Sequence, residues 1–500
     1  MRISAVTIAG MIWASCAWAQ DRPLSAIDWL SEEALSAIAP ETIEPSVTAS
    51  GAVPGVSVAP LDDEAGRRIG LVPSDITGLP DELWAGARAE VVARRIDGMS
   101  EPTVPALQTL YYTLLLAEAD PPSGATTGFD LARIDALTRL GALDPALDLV
   151  IQAGPDRSPD HFRRFMDLSL IAGREAQACA VLAANPHLAN DEAFRVFCGA
   201  RSGDWDTAVL LLGTSEALEL VTRPRADVLA RFLDPELYEG EPDLAIPERP
   251  DPLDFRLFEA IGTPIPTRVL PRVFANADLG DRVGWKAQLE AAERLSETGA
   301  LPENRLLGIY TGRRPAASGG IWDRVEAVQR LDVALSAQST DAVAKTLPEA
   351  WASIRASRLA VPFANLFAPR LKDHALTGLA ANTAFEMMLL GGATDDAVRL
   401  YPALAKRAPL LVDLAQGQQT NPPLTTPVEE TIYAAFSGPG DAPGASSLGV
   451  SLLDALDAVE AGVMGDVAQL RTGLSRLRGL GFEDRARKAA LQILILGAAT

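Results

Sequence analysis

Residues 134–146 read IDALTRLGALDPA, an apolar run that stops at a glycine and is followed at once by the start of a new helix. Gly141 interrupts the run, Asp144 and Pro145 are typical first-turn residues, and Ala146 stands five positions after the glycine. The same Gly-x4-Ala arrangement returns in a similar context four times: Gly173 with Ala178, Gly203 with Ala208, Gly392 with Ala397, and Gly481 with Ala486. We interpret this stretch as the turn of a helical hairpin.

The conformational preferences of the two residues support this interpretation. Glycine adopts the left-handed backbone conformation that ends many helices, and alanine has too small a side chain to hold two helices apart. Such pairs also arise by chance in a chain with 39 glycines, so the period matters more than the pairing. The first three glycines are 32 and 30 residues apart, which predicts a repeat of two helices.

A second self-similarity also indicates repeats. Residues 290–295, EAAERL, recur 36 positions later at 326–331 as EAVQRL, and Trp285 and Trp322 stand near the start of the two segments. Aromatic residues make up only 6% of the chain, and long alternating β-branched runs are scarce. The sequence therefore predicts an all-α fold, an α-solenoid of stacked helix hairpins, preceded by an extended proline-rich arm.

Composition divides the chain into segments. Seven prolines between 23 and 80 predict an extended arm in place of long helices, with a disordered leader as the alternative. The predicted segments are a signal peptide (1–19), the N-terminal arm (20–80), a first helical repeat array (81–222), a connector rich in proline and acid (223–271), a second helical repeat array (272–416), a loop region (417–447) and a C-terminal helical pair (448–500).

The first residues predict export. Arg2 gives a short positive start, residues 3–15 are apolar, and Ala17 and Ala19 fit the small-x-small rule for cleavage between Ala19 and Gln20. The apolar run is shorter than the roughly 20 residues that span a bilayer. We therefore expect a secretory signal peptide and a periplasmic location.

Two alternatives to this cleavage stay open. The apolar run is also compatible with a buried N-terminal helix, and Cys16 with a lipoprotein signal, although residues 13–15 fit a lipoprotein signal poorly. No later apolar stretch is long enough to cross a membrane, so we expect no transmembrane segment after the signal is removed.

The charge balance bears on possible partners. The chain has 66 acidic and 44 basic residues, for a net charge of −22. Such a chain repels nucleic acid and anionic lipid headgroups. We expect the acidity to serve solubility, with an acidic recognition surface as the alternative.

Cysteine placement predicts one disulfide. Cys16 leaves with the signal, so Cys179 and Cys198 remain, and the exported compartment is oxidising. They fall on predicted helices 174–183 and 191–200, about 9 Å and 12 Å from the intervening turn at 1.5 Å per residue. They therefore stand nearly level on antiparallel neighbours, and we predict that they are joined. Two buried, unreactive thiols are the alternative.

Residues with catalytic or metal-binding patterns are scarce. His161, His187 and His374 are the three histidines, and none has the spacing of a zinc site, so we expect them at the surface or as helix caps. The sequence has neither a Gly-x-Ser-x-Gly motif nor a phosphate-binding loop of the Walker type. We expect no catalytic residue, no metal and no cofactor.

One loop is a candidate for partner binding. Residues 310–315 read YTGRRP and join two predicted helical units. Arg313 and Arg314 are adjacent arginines in a strongly acidic chain, and guanidinium groups bind carboxylates and phosphates in a bidentate manner. The alternative is that both arginines form salt bridges with acids of the chain itself.

Three segments carry a resemblance to a known group of proteins: 23–30 (PLSAIDWL), 77–80 (TGLP) shortly before Trp84, and 310–322. In these the chain resembles uncharacterised exported alphaproteobacterial helical-repeat proteins, some of them labelled antifreeze-like. An ice-binding surface needs flat, regular arrays of threonine or alanine, which this sequence lacks. The hairpins resemble degenerate tetratricopeptide-type repeats, and the array resembles the superhelix that precedes the catalytic domain of some bacterial lytic transglycosylases.

The expected function follows from the expected architecture, because solenoids present long concave surfaces to partners. We expect an adaptor or scaffold that binds protein partners in the cell envelope and is not an enzyme. One alternative is a peptidoglycan enzyme or its regulator, although a transglycosylase needs a glutamic acid in a compact domain and only 53 residues follow Ser447. Another is a structural component of an envelope machine such as a motor or a secretion system.

Overall fold

The computed structural model describes residues 67–189, 191–441 and 447–497. Within these ranges the framework consists of twenty-four α-helices and three 3-10 helices, and strand-like pairing is limited to two isolated bridges. The all-α prediction is confirmed. The predicted signal peptide, its cleavage after Ala19, the lipoprotein alternative at Cys16 and most of the predicted arm lie outside the described residues.

The bounds of the α-helices in chain order are α1 Ser74–Thr77, α2 Ala89–Gly98, α3 Pro105–Leu116, α4 Thr127–Leu140, α5 Leu143–Ala153, α6 Pro159–Ala172, α7 Glu175–Ala184, α8 Glu192–Arg201, α9 Trp205–Ala217, α10 Arg223–Leu233, α11 Pro252–Ala260, α12 Trp285–Ser296, α13 Glu303–Thr311, α14 Ile321–Ser336, α15 Thr340–Ala356, α16 Ala360–Leu371, α17 Gly378–Leu390, α18 Thr394–Leu400, α19 Pro402–Arg407, α20 Pro409–Gln416, α21 Pro427–Phe436, α22 Leu448–Val463, α23 Val467–Gly479 and α24 Glu483–Leu496. The 3-10 helices are Pro186–Leu188, Thr267–Val269 and Arg272–Leu279. No helix among the described residues is both long and apolar enough to cross a membrane.

The five Gly-x4-Ala turns share one geometry. Each glycine has a φ between +69° and +90°, and the next helix begins two residues later. The residue after the glycine donates its N–H to the carbonyl five residues before it, as in Ala142 to Leu137 at 2.9 Å, which caps the preceding helix. The five alanines are fully buried. The predicted hairpin turns are confirmed.

Two glycine substitutions are expected to change stability in opposite directions. Gly203 has φ +88°, and a Cβ added to it would meet no atom within 4 Å, so Gly203→Ala should cost about 1–2 kcal/mol from the left-handed conformation alone. Gly213 lies within helix α9, also in open space, so Gly213→Ala should stabilise by about 0.5–1 kcal/mol. Urea unfolding of both variants measures the difference; equal shifts would contradict the turn geometry.

Most consecutive helices pack against each other, and the two ends of the described helical unit also meet. Helices α2 and α3 contact α22, and α3 contacts α24. The N–H of Ala106 donates to Oε1 of Gln492 at 2.8 Å, and the N–H of Thr103 donates to Oε1 of Glu460 at 2.9 Å. Sequential packing is compatible with the solenoid prediction, and these end-to-end contacts add long-range packing to it.

Apolar side chains form two clusters. The first joins residues from 69 to 274 with residues from 410 to 493, and the second centres on residues 275 to 401. In the second, the repeated segments EAAERL and EAVQRL lie on α12 and α14, and the rings of Trp285 and Trp322 are 5.3 Å apart. The sequence repeat therefore places equivalent residues in contact.

The C-terminal segments hold more helix than the sequence suggested. The described residues 448–497 of the expected C-terminal pair contain three helices, because Gly465 turns the chain at φ +114° and Asp466 caps α23. The expected loop region 417–447 contains α21, which begins at a capping box of Thr426 and Glu429. The connector 223–271, which the sequence predicts to hold short helices, contains α10 and α11. Local caps thus start helices between prolines.

Candidate functional site

Helix α9 exposes several large apolar side chains. Its sequence is WDTAVLLLGTSEA, and only Ala208, Leu212 and Ser215 are buried, against α8 and α10. The side chains of Leu210 and Val209 are 71% and 53% exposed. The side of α9 that bears these side chains therefore lacks a partner among the described residues.

The unpartnered side has a defined set of members. At 3.6 residues per turn, the exposed apolar residues Trp205, Val209, Leu210, Gly213 and Ala217 share the outward side of the helix, and we name them the α9 face. Asp206 and Glu216 are exposed on the same side, near the two ends of the helix. Leu218 and Leu220, just beyond the helix, are also more than half exposed. Contiguous exposed apolar side chains mark sites of protein–protein interaction.

Gly213 is unexplained by the fold of the chain itself. It lies inside α9, its φ is not positive, and a Cβ placed on it would meet no atom within 4 Å. A glycine inside a helix costs about 0.5–1 kcal/mol relative to alanine. Together with Ala217 it leaves the middle of the α9 face without bulky side chains, a surface that another backbone can approach closely.

Acidic residues surround the α9 face. Asp204, Asp206, Glu216 and Glu219 are exposed, and no lysine or arginine occurs between 202 and 222. None of the four carboxylates forms an ion pair with a described residue, although Asp204 caps the helix by accepting the N–H of Thr207 at 3.3 Å. These four carboxylates, which we call the rim, therefore carry negative charge that no ion pair with a described residue neutralises.

The disulfide supports the base of this surface. Cys179 on α7 and Cys198 on α8 are joined, with their Cα atoms 5.3 Å apart, which confirms the predicted pair. Helix α8 in turn packs tightly on α9, since a Cβ on Gly199 would lie 3.4 Å from that of Ala208. The covalent link thus fixes the helix on which α9 rests.

Aromatic rings hold the other side of α9. The ring of Phe232 on α10 stacks on Phe197 at 5.6 Å and contacts Trp205 at 6.0 Å. Trp205 is therefore held in place while 44% of its side chain stays exposed. Tryptophan fixed in this way is a favourable anchor for a partner.

Arg313 and Arg314 lie in the loop between α13 and α14, and both are exposed. The Nε2 group of Gln329 donates to the carbonyls of Tyr310 at 2.7 Å and Arg313 at 2.6 Å, which fixes the loop backbone. Neither guanidinium forms a salt bridge with a described residue. Their use in partner binding stays a prediction.

A buried polar network that the sequence analysis missed lies beneath that loop. Arg324 binds Glu293 through Nε and Nη2 at 2.8 and 2.7 Å, and the hydroxyl of Tyr310 donates to the same carboxylate. Tyr310 is fully buried, and burial together with Glu293 raises the pKa of its hydroxyl well above the usual value. This network holds the start of the loop in place and so fixes the position of Arg313 on the surface.

We expect the histidines at the surface or as helix caps, and a position at the surface is wrong for two of the three. His161 and His374 are buried, whereas His187 is exposed. His161 Nδ1 lies 2.9 Å from the Oγ of Ser158, the residue that caps α6. His374 Nδ1 lies 3.0 Å from Oγ1 of Thr340. Both histidines bond a hydroxyl at or beside a helix start, and packing of α6 turns His161 inward.

His161 should make the protein less stable in mild acid. Burial, with help from Arg157 and Arg164, lowers the pKa of His161 to about 4, while an unfolded histidine titrates near 6.5. Between these values only the unfolded chain binds the proton, so stability falls as the pH falls. We expect a contribution of about 2 kcal/mol lost between pH 8 and pH 5.

Comparison with a variant isolates this contribution. Urea unfolding of the wild type and of His161→Gln at both pH values gives the difference in free energy of unfolding. The wild type should lose its advantage over the variant at pH 5. A difference that does not change with pH would contradict a histidine that stays neutral when folded.

No group of three or more histidine, cysteine, aspartate or glutamate side chains that could hold a metal ion occurs among the described residues. Comparison of the chain with models of protein families, with curated proteins and with solved structures gives no match. A proposal about function therefore rests on the surface of the chain itself, where the α9 face is the strongest candidate for a binding site.

Proposed function

We propose that this protein is an exported helical-repeat adaptor or scaffold of the cell envelope, which binds a protein partner on the α9 face. One observation carries the proposal: a helix of the framework keeps Leu210, Val209 and Trp205 exposed on one side. Transfer of each such side chain from water to an interface contributes about 1.5–3 kcal/mol at full burial. A few of them suffice for a specific contact, once the cost of association is met.

The rim points to the chemistry of the partner. Four carboxylates border the face without a compensating cation between 202 and 222. Complementary charge favours association and suppresses wrong partners. The partner chemistry that fits is an amphipathic helix with an apolar stripe flanked by lysine or arginine. A second copy of this chain fits poorly, since its own α9 face carries the same negative rim.

The disulfide supports the proposed location. Stable disulfides form in oxidising compartments such as the periplasm and are rare in the cytosol. The link between Cys179 and Cys198 also holds α8, the base of the α9 face. A rigid surface held by a disulfide suits an adaptor, because the surface loses less conformational entropy when a partner binds.

Site-specific crosslinking tests the proposal. A photo-reactive residue at position 210 of the mature protein should capture an envelope protein in living cells, and Leu210→Glu should abolish co-purification of that protein. Leu379→Glu is the matched control, since Leu379 on α17 is the same residue type and is 68% exposed.

Two results would overturn the proposal. One is a crosslinking pattern at position 210 no different from that at position 379. The other is lytic activity of the purified chain on peptidoglycan gels that survives Leu210→Glu, because this would place the protein among cell-wall enzymes.

A further inference from the structure

A large cleft lies where distant parts of the chain meet, and it shares no residue with the α9 face. Its volume is about 1080 Å³, at the upper end of the range for small-molecule sites. The walls come from α3, α20 and α24, from the turn between α12 and α13, and from the start of α16. Contact between the N-terminal and C-terminal helices closes it on one side.

The lining of the cleft has more cations than acids, although the chain as a whole has a net charge of −22. Arg358, Arg485 and Lys488 line it, and none of them forms an ion pair with a described residue. Of the three lining acids, Glu297 lies 3.9 Å from Arg272, which is not in the lining, whereas Glu303 only accepts a hydrogen bond from the neutral Asn365 and keeps its charge. Arg358, Arg485 and Lys488 outnumber the two lining acids without an arginine partner, Glu303 and Asp484, so the lining has a small positive excess.

Arg358 is one of three described residues other than glycine that have a positive φ, the others being Glu219 and Gln338. It ends α15 with a φ of +59°, and the N–H of Leu359 donates to the carbonyl of Ile354, as in the Gly-x4-Ala turns. A left-handed conformation strains a residue that has a Cβ. Strain of this kind is found at functional sites, and of these three residues only Arg358 lines the cleft.

The rest of the lining is suited to an apolar body with one polar end. Leu301, Val361, Leu390 and Leu491 are buried at the wall.

We propose that this cleft binds an organic anion with an apolar body, whose carboxylate lies between Arg358, Arg485 and Lys488. Arginine and lysine supply charge-assisted hydrogen bonds to the carboxylate, and the leucine-rich wall takes the hydrocarbon. The carboxylate can belong to a fatty acid or to the C-terminus of an apolar peptide, because the recognised chemistry is the same.

Fluorescence titration of the mature protein tests the site. 11-(Dansylamino)undecanoic acid should bind saturably, and its methyl ester should bind at least tenfold more weakly because the charge is lost. Displacement of the probe by an apolar tripeptide with a free C-terminus, but not by its amide, would identify a peptide as the source. Failure of both to displace it would leave the fatty acid as the source.

Arg358→Gly separates a binding role from a structural one. The variant removes the cation and the backbone strain together, so its melting temperature should equal or exceed that of the wild type while its affinity for the acid falls at least tenfold. Gln338→Gly is the matched control, because Gln338 ends α14 with the same turn at φ +52° but does not line the cleft. It should leave affinity unchanged.

Lys488→Gln provides a second test of the proposed anion site and should also weaken binding of the acid. Lys488 is exposed on the helix surface, so its replacement should not disturb the fold. The proposal is overturned if the acid does not bind, if acid and ester bind equally, or if Arg358→Gly and Lys488→Gln both retain the wild-type affinity. None of these outcomes bears on the α9 face, which crosslinking at position 210 tests separately.

Discussion

Reduction of the Cys179–Cys198 disulfide is expected to lower the free energy of unfolding by about 3 kcal/mol. The two cysteines are 19 residues apart, and opening a loop of that length returns conformational entropy to the unfolded chain. Urea unfolding followed by circular dichroism, with and without reductant, measures the loss. A double variant, Cys179→Ala with Cys198→Ala, should behave like the reduced protein and should not respond to reductant.

The loss should begin at α7. This helix buries only Ala178 and Leu182, so it has little apolar contact to hold it once the covalent link is opened. Hydrogen exchange of amides in 175–184 should accelerate on reduction before that of α5, which buries six side chains. Uniform acceleration across both helices would contradict a local role, and an unchanged midpoint would contradict the stabilisation itself.

Arg133→Met is expected to destabilise the protein by about 3 kcal/mol or more. Arg133 is 1% exposed, and its guanidinium donates to three backbone carbonyls, those of Leu115 at 2.8 Å, Ile69 at 2.7 Å and Ala117 at 3.1 Å. Methionine approximates the length of the stem but donates nothing, so buried carbonyls lose their partners. Chemical denaturation of the variant measures the effect.

A nearby arginine provides the matched control. Arg139, on the same helix, is exposed and donates one hydrogen bond, to the carbonyl of Ile96 at 3.0 Å. Arg139→Met should cost no more than about 1 kcal/mol. Equal losses in the two variants would show that burial of Arg133 has no special weight. Protease sensitivity near Ile69 should rise in Arg133→Met alone, because that arginine ties the 67–73 segment to α4.

Local sequence was sufficient for the turns and the disulfide. A glycine adopts the left-handed conformation where these helices end and reverse, and an alanine at the fourth position of the next helix permits close packing. The turn at Gly141 and Ala146 can therefore be predicted from a few neighbouring residues. Cys179 and Cys198 could be paired because both flank one short turn, and helix rise alone places them level.

Other features depend on neighbours that the local pattern does not reveal. The sequence marks α9 only by the run Val209 to Leu212, which is apolar on more than one side of a helix, and it does not tell which side stays uncovered. His161 and Arg133 are polar residues, yet both are buried. His161 bonds Ser158, the cap of its own helix, whereas Arg133 bonds backbone carbonyls that other segments supply.

The sequence by itself determined that the protein is helical, where its hairpins turn and which cysteines join, because short-range backbone geometry and apolar periodicity decide these features. Only the tertiary structure decided which apolar side of α9 has no partner and that a cleft forms between α3, α16 and α24. Residues as distant as Ala106 and Gln492 meet there, since burial is a property of the packed helices together and not of any one segment.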